Sequence, residues 1–124
     1  MTDPVITVTV PSDSRFVALA RLTASGLGAE IDLDVDAIED LRMAANELVA
    51  VVVEWAVDHG HDTVTLTYTL HPDGLDLTAQ ADGAGDDAAD IELDPLTAQI
   101  LGSVSDTYAV GPGRGSITTI RPTR

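Results

Sequence analysis

Three observations predict an α+β fold for this chain, a two-layer sandwich with a mixed or mostly antiparallel sheet and its helices on one face. Segments of alternating apolar and polar residues come in pairs joined by turn residues, as hairpins do. Residues 36–57 instead repeat their apolar side chains in steps of three and four, as a buried helix face does. The resulting order, β-α-α-β-β-α-β-β, groups strands together rather than alternating them with helices. At 124 residues, 44% of them hydrophobic and none cysteine, residues 1–124 are expected to form one domain. Its core is large enough to fold without disulfides or structural metal.

Each element follows from local chemistry. VITVTV, residues 5–10, alternates β-branched side chains and stops at Pro11, a first strand. Ser12 or Asp13 can cap a helix through SRFVALARLTAS, with Gly26 and Gly28 as its stop signal. EIDLDVD is then a loop whose Asp36 caps a second helix running to about Val57, with Ile38, Leu41, Ala45, Leu48, Val52 and Trp55 as its core stripe. TVTLTYTL, the turn HPDG and LDLTAQA make a hairpin around the favoured pair Asp73-Gly74. After the polar loop DGAGDDAADIELD, Pro95 suits the first turn of a short helix, PLTAQILGSVSD, because its missing N–H costs nothing there. A second hairpin, TYAV, GPGRG and SITTIR, follows. There are no repeats and no linker.

Composition narrows the function. Without cysteine there is no thiolate chemistry, Fe–S cluster or Cys-type zinc site, and a reducing compartment is suited. MTDPVITVTV has no basic segment before an apolar stretch, and no run approaches the roughly 20 apolar residues that cross a bilayer, so a cytoplasmic location away from membranes is expected. The net charge of -15 and pI near 4.1 repel nucleic acid and anionic lipid and attract basic protein surfaces. All six basic residues are Arg, and the acidity fits GC-rich coding or a saline cytoplasm as well as it fits a binding role.

Several local patterns have ordinary explanations. HGHD, with His59 and His61, lacks a third ligand and reads as a polar turn at a helix end, where cationic His is favoured. GPGRG, which includes Arg114, could nest a phosphate, but it lies between two strands and reads as a hairpin loop. The carboxylates from Asp82 to Asp94 lack calcium-loop spacing, so a solvated loop and no metal are expected. No Ser-His-Asp or paired-carboxylate arrangement can be argued, and aromatics at 3% give no stacking surface for single strands.

FVALARLTASG in the first helix, DAIEDLRMAANE in the second, DGLDLTAQADG across the first hairpin and GSITTIR in the last strand together resemble the anti-sigma factor/serine-protein kinase family of bacterial partner-switching systems. The resemblance covers nearly the whole chain and implies the histidine-kinase-like, gyrase-like ATP-binding fold called the Bergerat fold. In that family the second helix carries E-x-x-x-N. The Glu takes the proton of the attacking hydroxyl and the Asn one turn on gives an oxygen to Mg²⁺. Glu47 matches the first position; Val51 occupies the second and cannot ligate magnesium.

Two further motifs depart from the family. The adenine-selecting D-x-G, matched without gaps, puts Ala81 at the Asp position and keeps Gly83. A one-residue slip would make Asp82 the adenine acceptor, with Gly83 beside it, but would turn every side chain of the strand over. The phosphate-binding G-x-G before the last helix is replaced by Pro95-Leu96-Thr97, which lacks both glycines and one amide donor. The family Arg that contacts both sigma factor and antagonist is matched by Arg21, whose guanidinium fork suits partner carboxylates.

The resemblance therefore implies a degenerate member, with Glu47 a vestigial base position. It would be an anti-sigma-factor-like module, a homodimer binding a sigma factor and/or a STAS-type antagonist, with no cofactor expected. The rival expectation is a serine/threonine protein kinase using ATP and Mg²⁺ in an unorthodox site built on Glu47, Asp82, Gly83 and GPGRG. A third is an acidic mimic of nucleic acid.

Overall fold

Thr63, Thr65, Thr67 and Thr69 alternate with Val64, Leu66, Tyr68 and Leu70, and this alternation sorts the molecule into two layers. The computed structural model describes residues 3–121. In order these form β1 (Val5–Pro11), a 3-10 turn (Ser14–Phe16), α1 (Val17–Glu30), α2 (Val35–Asp58), β2 (Thr63–His71), β3 (Gly74–Ala81), α3 (Pro95–Val104), β4 (Thr107–Gly111) and β5 (Arg114–Ile120). The sheet runs β1-β2-β3-β5-β4, and every neighbouring pair is antiparallel, so the mixed alternative drops out.

The core lies between the sheet and the helices. Leu66, Tyr68, Leu77 and Ile117 meet Leu41, Leu48, Val49 and Val52 of α2, all buried. Tyr68 also ties α1 to the sheet. Its hydroxyl donates to the Ala20 carbonyl at 3.1 Å, and burial pushes the phenol up to about 12. The opposite sheet face carries Thr7, Thr9, Thr65, Thr67, Thr78, Ser116 and Thr118, and no described helix covers it.

Four boundaries differ from the sequence expectation. Helix α1 runs through both glycines to Glu30. Gly28 is packed close against Leu41, Ile38 and Leu33, where an added Cβ would be tight at 3.3–3.4 Å from their side chains. The helix ends instead on Asp32, left-handed at φ 60, with Leu33 N–H donating to Gly28 O and Asp32 N–H to Ala29 O. The cap of α2 is Asp34, whose Oδ1 accepts from Ala37 N at 2.8 Å, rather than Asp36, which lies in the first turn. The β2–β3 turn centres on Pro72 and Asp73; Gly74 already pairs with His71, and a Cβ there would strike the Thr119 carbonyl. Between β4 and β5 only Pro112 and Gly113 form the turn, so Arg114 and Gly115 belong to β5.

Candidate functional site

Glu47, Val51 and Trp55 follow one another at i, i+4 and i+8 along α2 and so share one face of it. Glu47 is half-buried, and Val51 packs against the core. Trp55, only 7% exposed, ends this face in an aromatic stack. The His59 ring lies 4.0 Å from the indole at 13°, and the His61 ring 5.3 Å away at 18°. A carbonyl only accepts, so His59 Nδ1–H donates to Trp55 O and His61 Nδ1–H to Asp82 O, each at 2.9 Å. The sequence showed HGHD as a polar turn; the W-x-x-x-H spacing, one helical turn, was the signal for the stack. Among the described residues no three His, Asp or Glu side chains are grouped to hold a metal.

The end of β3 carries the position matched to adenine recognition. Ala81 pairs with Val64 in the helix-facing row and is fully buried. Asp82, the next residue, is exposed, and Thr63 Oγ1 and Thr65 Oγ1 donate to its two carboxylate oxygens at 2.6 and 2.7 Å. Those threonines point away from the helices, so the Asp82 carboxylate is held on the open-face side of the sheet. Gly83 turns the chain at φ 93, against the His61 ring.

The N-terminus of α3 carries the position matched to phosphate binding. Asp94 is its N-cap, and Pro95 stands in the first turn without an N–H. The Asp94 carboxylate accepts from Thr97 N at 2.8 Å and from Thr97 Oγ1 at 3.2 Å. The bond from the Thr97 amide holds its carboxyl below the usual carboxylate range. A negative charge from the chain itself thus sits at the positive end of this helix. Between α2 and the segment leading into α3 lies a cavity of about 200 Å³ lined by Val51, Glu54, Trp55, Asp58, Ile91, Glu92 and Asp94. The structure brings Val51 and Asp94 to one cavity, while Ala81, Asp82 and Glu47 are not among its lining residues.

Arg21 is half-buried where α1 meets α2, and its Nη1 donates to Asn46 Oδ1 at 2.6 Å. Sequence reasoning missed Asn46 as its partner, because nothing local links positions 25 residues apart. The candidate partner-contact Arg is therefore fixed to the residue immediately before Glu47.

Comparisons with known proteins agree with this architecture. Residues 10–116 match the family described as the histidine kinase-like ATPase domain. A serine-protein kinase RsbW of Halalkalibacterium halodurans is 36% identical over 78 residues, 63% of this chain and 48% of that protein. The RsbW of Listeria monocytogenes serovar 1/2a is 30% identical over 83 residues, 66% and 53% of the two chains. The chain thus spans about half the length of the curated relatives it matches. A crystal structure of the RsbU and RsbW domains of a Mycobacterium tuberculosis protein superposes with a TM-score of 0.62 at 18% identity, covering 98% of this chain and 34% of that one. The chain belongs to the histidine kinase-like ATPase domain family.

Proposed function

We propose that this chain is an anti-sigma-factor-like binding module in which the nucleotide position has lost its chemistry. It acts in the cytoplasm as a homodimer that sequesters a sigma factor and/or binds an anti-sigma antagonist. The observation that carries the loss is the N-terminus of α3, where Asp94 takes the Thr97 amide and Pro95 offers none. An incoming phosphate would meet a fixed carboxylate in place of a donor.

The remaining features point the same way, and the residues present do not fit a magnesium-nucleotide. The adjoining cavity, about 200 Å³, is below the roughly 300–1,000 Å³ usual for small-molecule sites. Glu54, Asp58, Glu92 and Asp94 line it without a single cation. Val51 offers no oxygen to a metal, and Ala81 no acceptor to adenine. Kinship to proteins named serine-protein kinase RsbW supports a role on a protein partner, and Arg21, held by Asn46 at the seam of α1 and α2, is the residue assigned to that contact.

Calorimetric titration with ATP and Mg²⁺ tests this. No saturable heat up to millimolar nucleotide, with an unchanged melting temperature, is expected. Saturation in the micromolar range would overturn it and restore a kinase centred on Glu47. Partner binding is tested by Arg21→Ala, which is expected to weaken capture of a sigma factor or antagonist without lowering the melting temperature by more than a few degrees.

A further inference from the structure

The open face of the sheet contains a second candidate site, away from α2 and α3. Its cross-strand rows read Thr7-Thr67-Thr78-Ser116-Ala109 and Thr9-Thr65-Gln80-Arg114-Gly111. Toward β4 the small residues Ala109 and Gly111 leave a depression of about 330 Å³, lined also by Thr78, Arg114 and Ser116. The Arg114 side chain lies alongside Gly111, within ordinary contact distance of where a Cβ would stand, 3.6 Å from Nε and 3.9 Å from Cγ.

Arg114 differs from the other described arginines. Arg15 pairs with Asp13 and Arg42 with Glu39, Arg21 donates to Asn46, and Arg121 reaches the Ile31 carbonyl. Among the described residues, no partner is recorded for the Arg114 guanidinium, although the chain holds 21 carboxylates. The two aspartates of this face are already engaged. Asp76 is held by His71 and Thr118, and Asp82 by Thr63 and Thr65. The hydroxyls of Thr78 and Ser116, neighbours across β3 and β5, are likewise uncommitted among the described residues.

We propose that this depression is an oxyanion-binding site. The guanidinium fork supplies parallel N–H donors to a carboxylate or phosphate group, and the Thr78 and Ser116 hydroxyls supply further donors beside it. The net charge of -15 opposes the approach of any anion, so affinity for a small free oxyanion is in the millimolar range and selectivity rests on the fork. The depression shares no lining residue with the cavity between α2 and the segment leading into α3, so its failure leaves the proposed function untouched. ATP–Mg²⁺ heat that persisted in Arg114→Gln would count against the proposed function alone.

The test is an NMR titration of the full chain with inorganic phosphate and, separately, acetate, each against sodium chloride at matched ionic strength. Saturable shifts of the Gly111, Arg114 and Gly115 amides and of Arg114 Nε–H are expected with both anions. Shifts with phosphate alone also support the site and assign it to tetrahedral dianions. In Arg114→Gln, whose remaining spectrum verifies the fold, the shifts disappear; in Arg114→Lys binding weakens several-fold because an ammonium makes no fork. Linear, unsaturating shifts in the parent chain, or shifts that persist in Arg114→Gln, would overturn the proposal.

Discussion

The two faces of the sheet obey different rules. On the helix-facing side, Val64, Leu66, Tyr68, Leu77, Ala79 and Ala81 are fully buried, and stability comes from area removed from water and from close packing. On the open side, charged and hydroxyl groups make specific contacts that are exposed or half-buried. His71 Nδ1–H and Nε2–H donate to Asp3 at 2.7 Å and Asp76 at 2.6 Å, and Thr118 donates to the second oxygen of Asp76 at 2.7 Å. One face thus holds the fold together and tolerates little change. On the other, Asp76, Asp82 and His71 are held by neighbouring side chains and Arg114 is left free among the described residues.

The contrast can be broken by substitution, and the largest effect belongs to the buried face. Leu66→Ala is expected to cost about 2–5 kcal/mol in urea denaturation, because Leu66 is 0% exposed between the sheet and α2. A loss under 1 kcal/mol would mean that the layer collapses around the gap. Tyr68→Phe keeps the ring but removes the hydroxyl that bonds the Ala20 carbonyl across to α1, and about 1 kcal/mol of destabilisation is expected by the same assay.

On the open face the effect depends on pH. Hydrogen bonds that His71 donates first to Asp76 and then to Asp3 raise its pKa above the ordinary 6.5. The bridge to both carboxylates needs the imidazolium, so its contribution is complete below pH 6.5 and lost as pH rises through the higher folded value. The melting-temperature gap between the parent chain and His71→Gln should therefore be widest in mild acid and close toward alkaline pH. A gap that stayed constant would show that the bridge is not ionic. Thr7→Ala, at an exposed position of edge strand β1, should shift stability by no more than about 0.5 kcal/mol.

The smallest expected effect is on nucleotide binding. Val51→Asn returns an oxygen ligand to α2, yet calorimetry should still detect no saturable ATP–Mg²⁺ binding, since Asp94, Pro95 and Ala81 are unchanged. Binding restored by that one substitution would place the whole defect in the metal ligand.

Legibility followed the same division. The alternation in residues 63–70 and the apolar stripe of α2 reflect burial, which is periodic, so element order and the buried stripe of α2 could be read directly. Boundaries set by single contacts were less readable. Gly26 and Gly28 looked like a stop signal, but helix packing against Leu41 uses the missing Cβ of Gly28 inside the helix. Two aspartates compete to cap α2, and only the backbone conformation of Asp34 decides between them. In the candidate site, Val51, Ala81 and Pro95 could be read residue by residue. The clamp of Thr63 and Thr65 on Asp82 and the Arg21–Asn46 contact join groups that only the tertiary fold brings together, whereas the stacked Trp55 and His59 are one helical turn apart and were signalled by spacing.

The stack has a spectroscopic consequence. Trp55 is the only tryptophan of the chain, its ring lies against the Gly113 turn, and its Nε1 is buried without a partner among the described residues. All indole emission therefore comes from one shielded, ring-stacked site that also lines the cavity beside Val51. Intrinsic fluorescence is then a label already in place. A red shift on adding nucleotide or a partner would report that the β4–β5 turn had moved off α2, and an unchanged spectrum that this wall of the cavity had stayed closed.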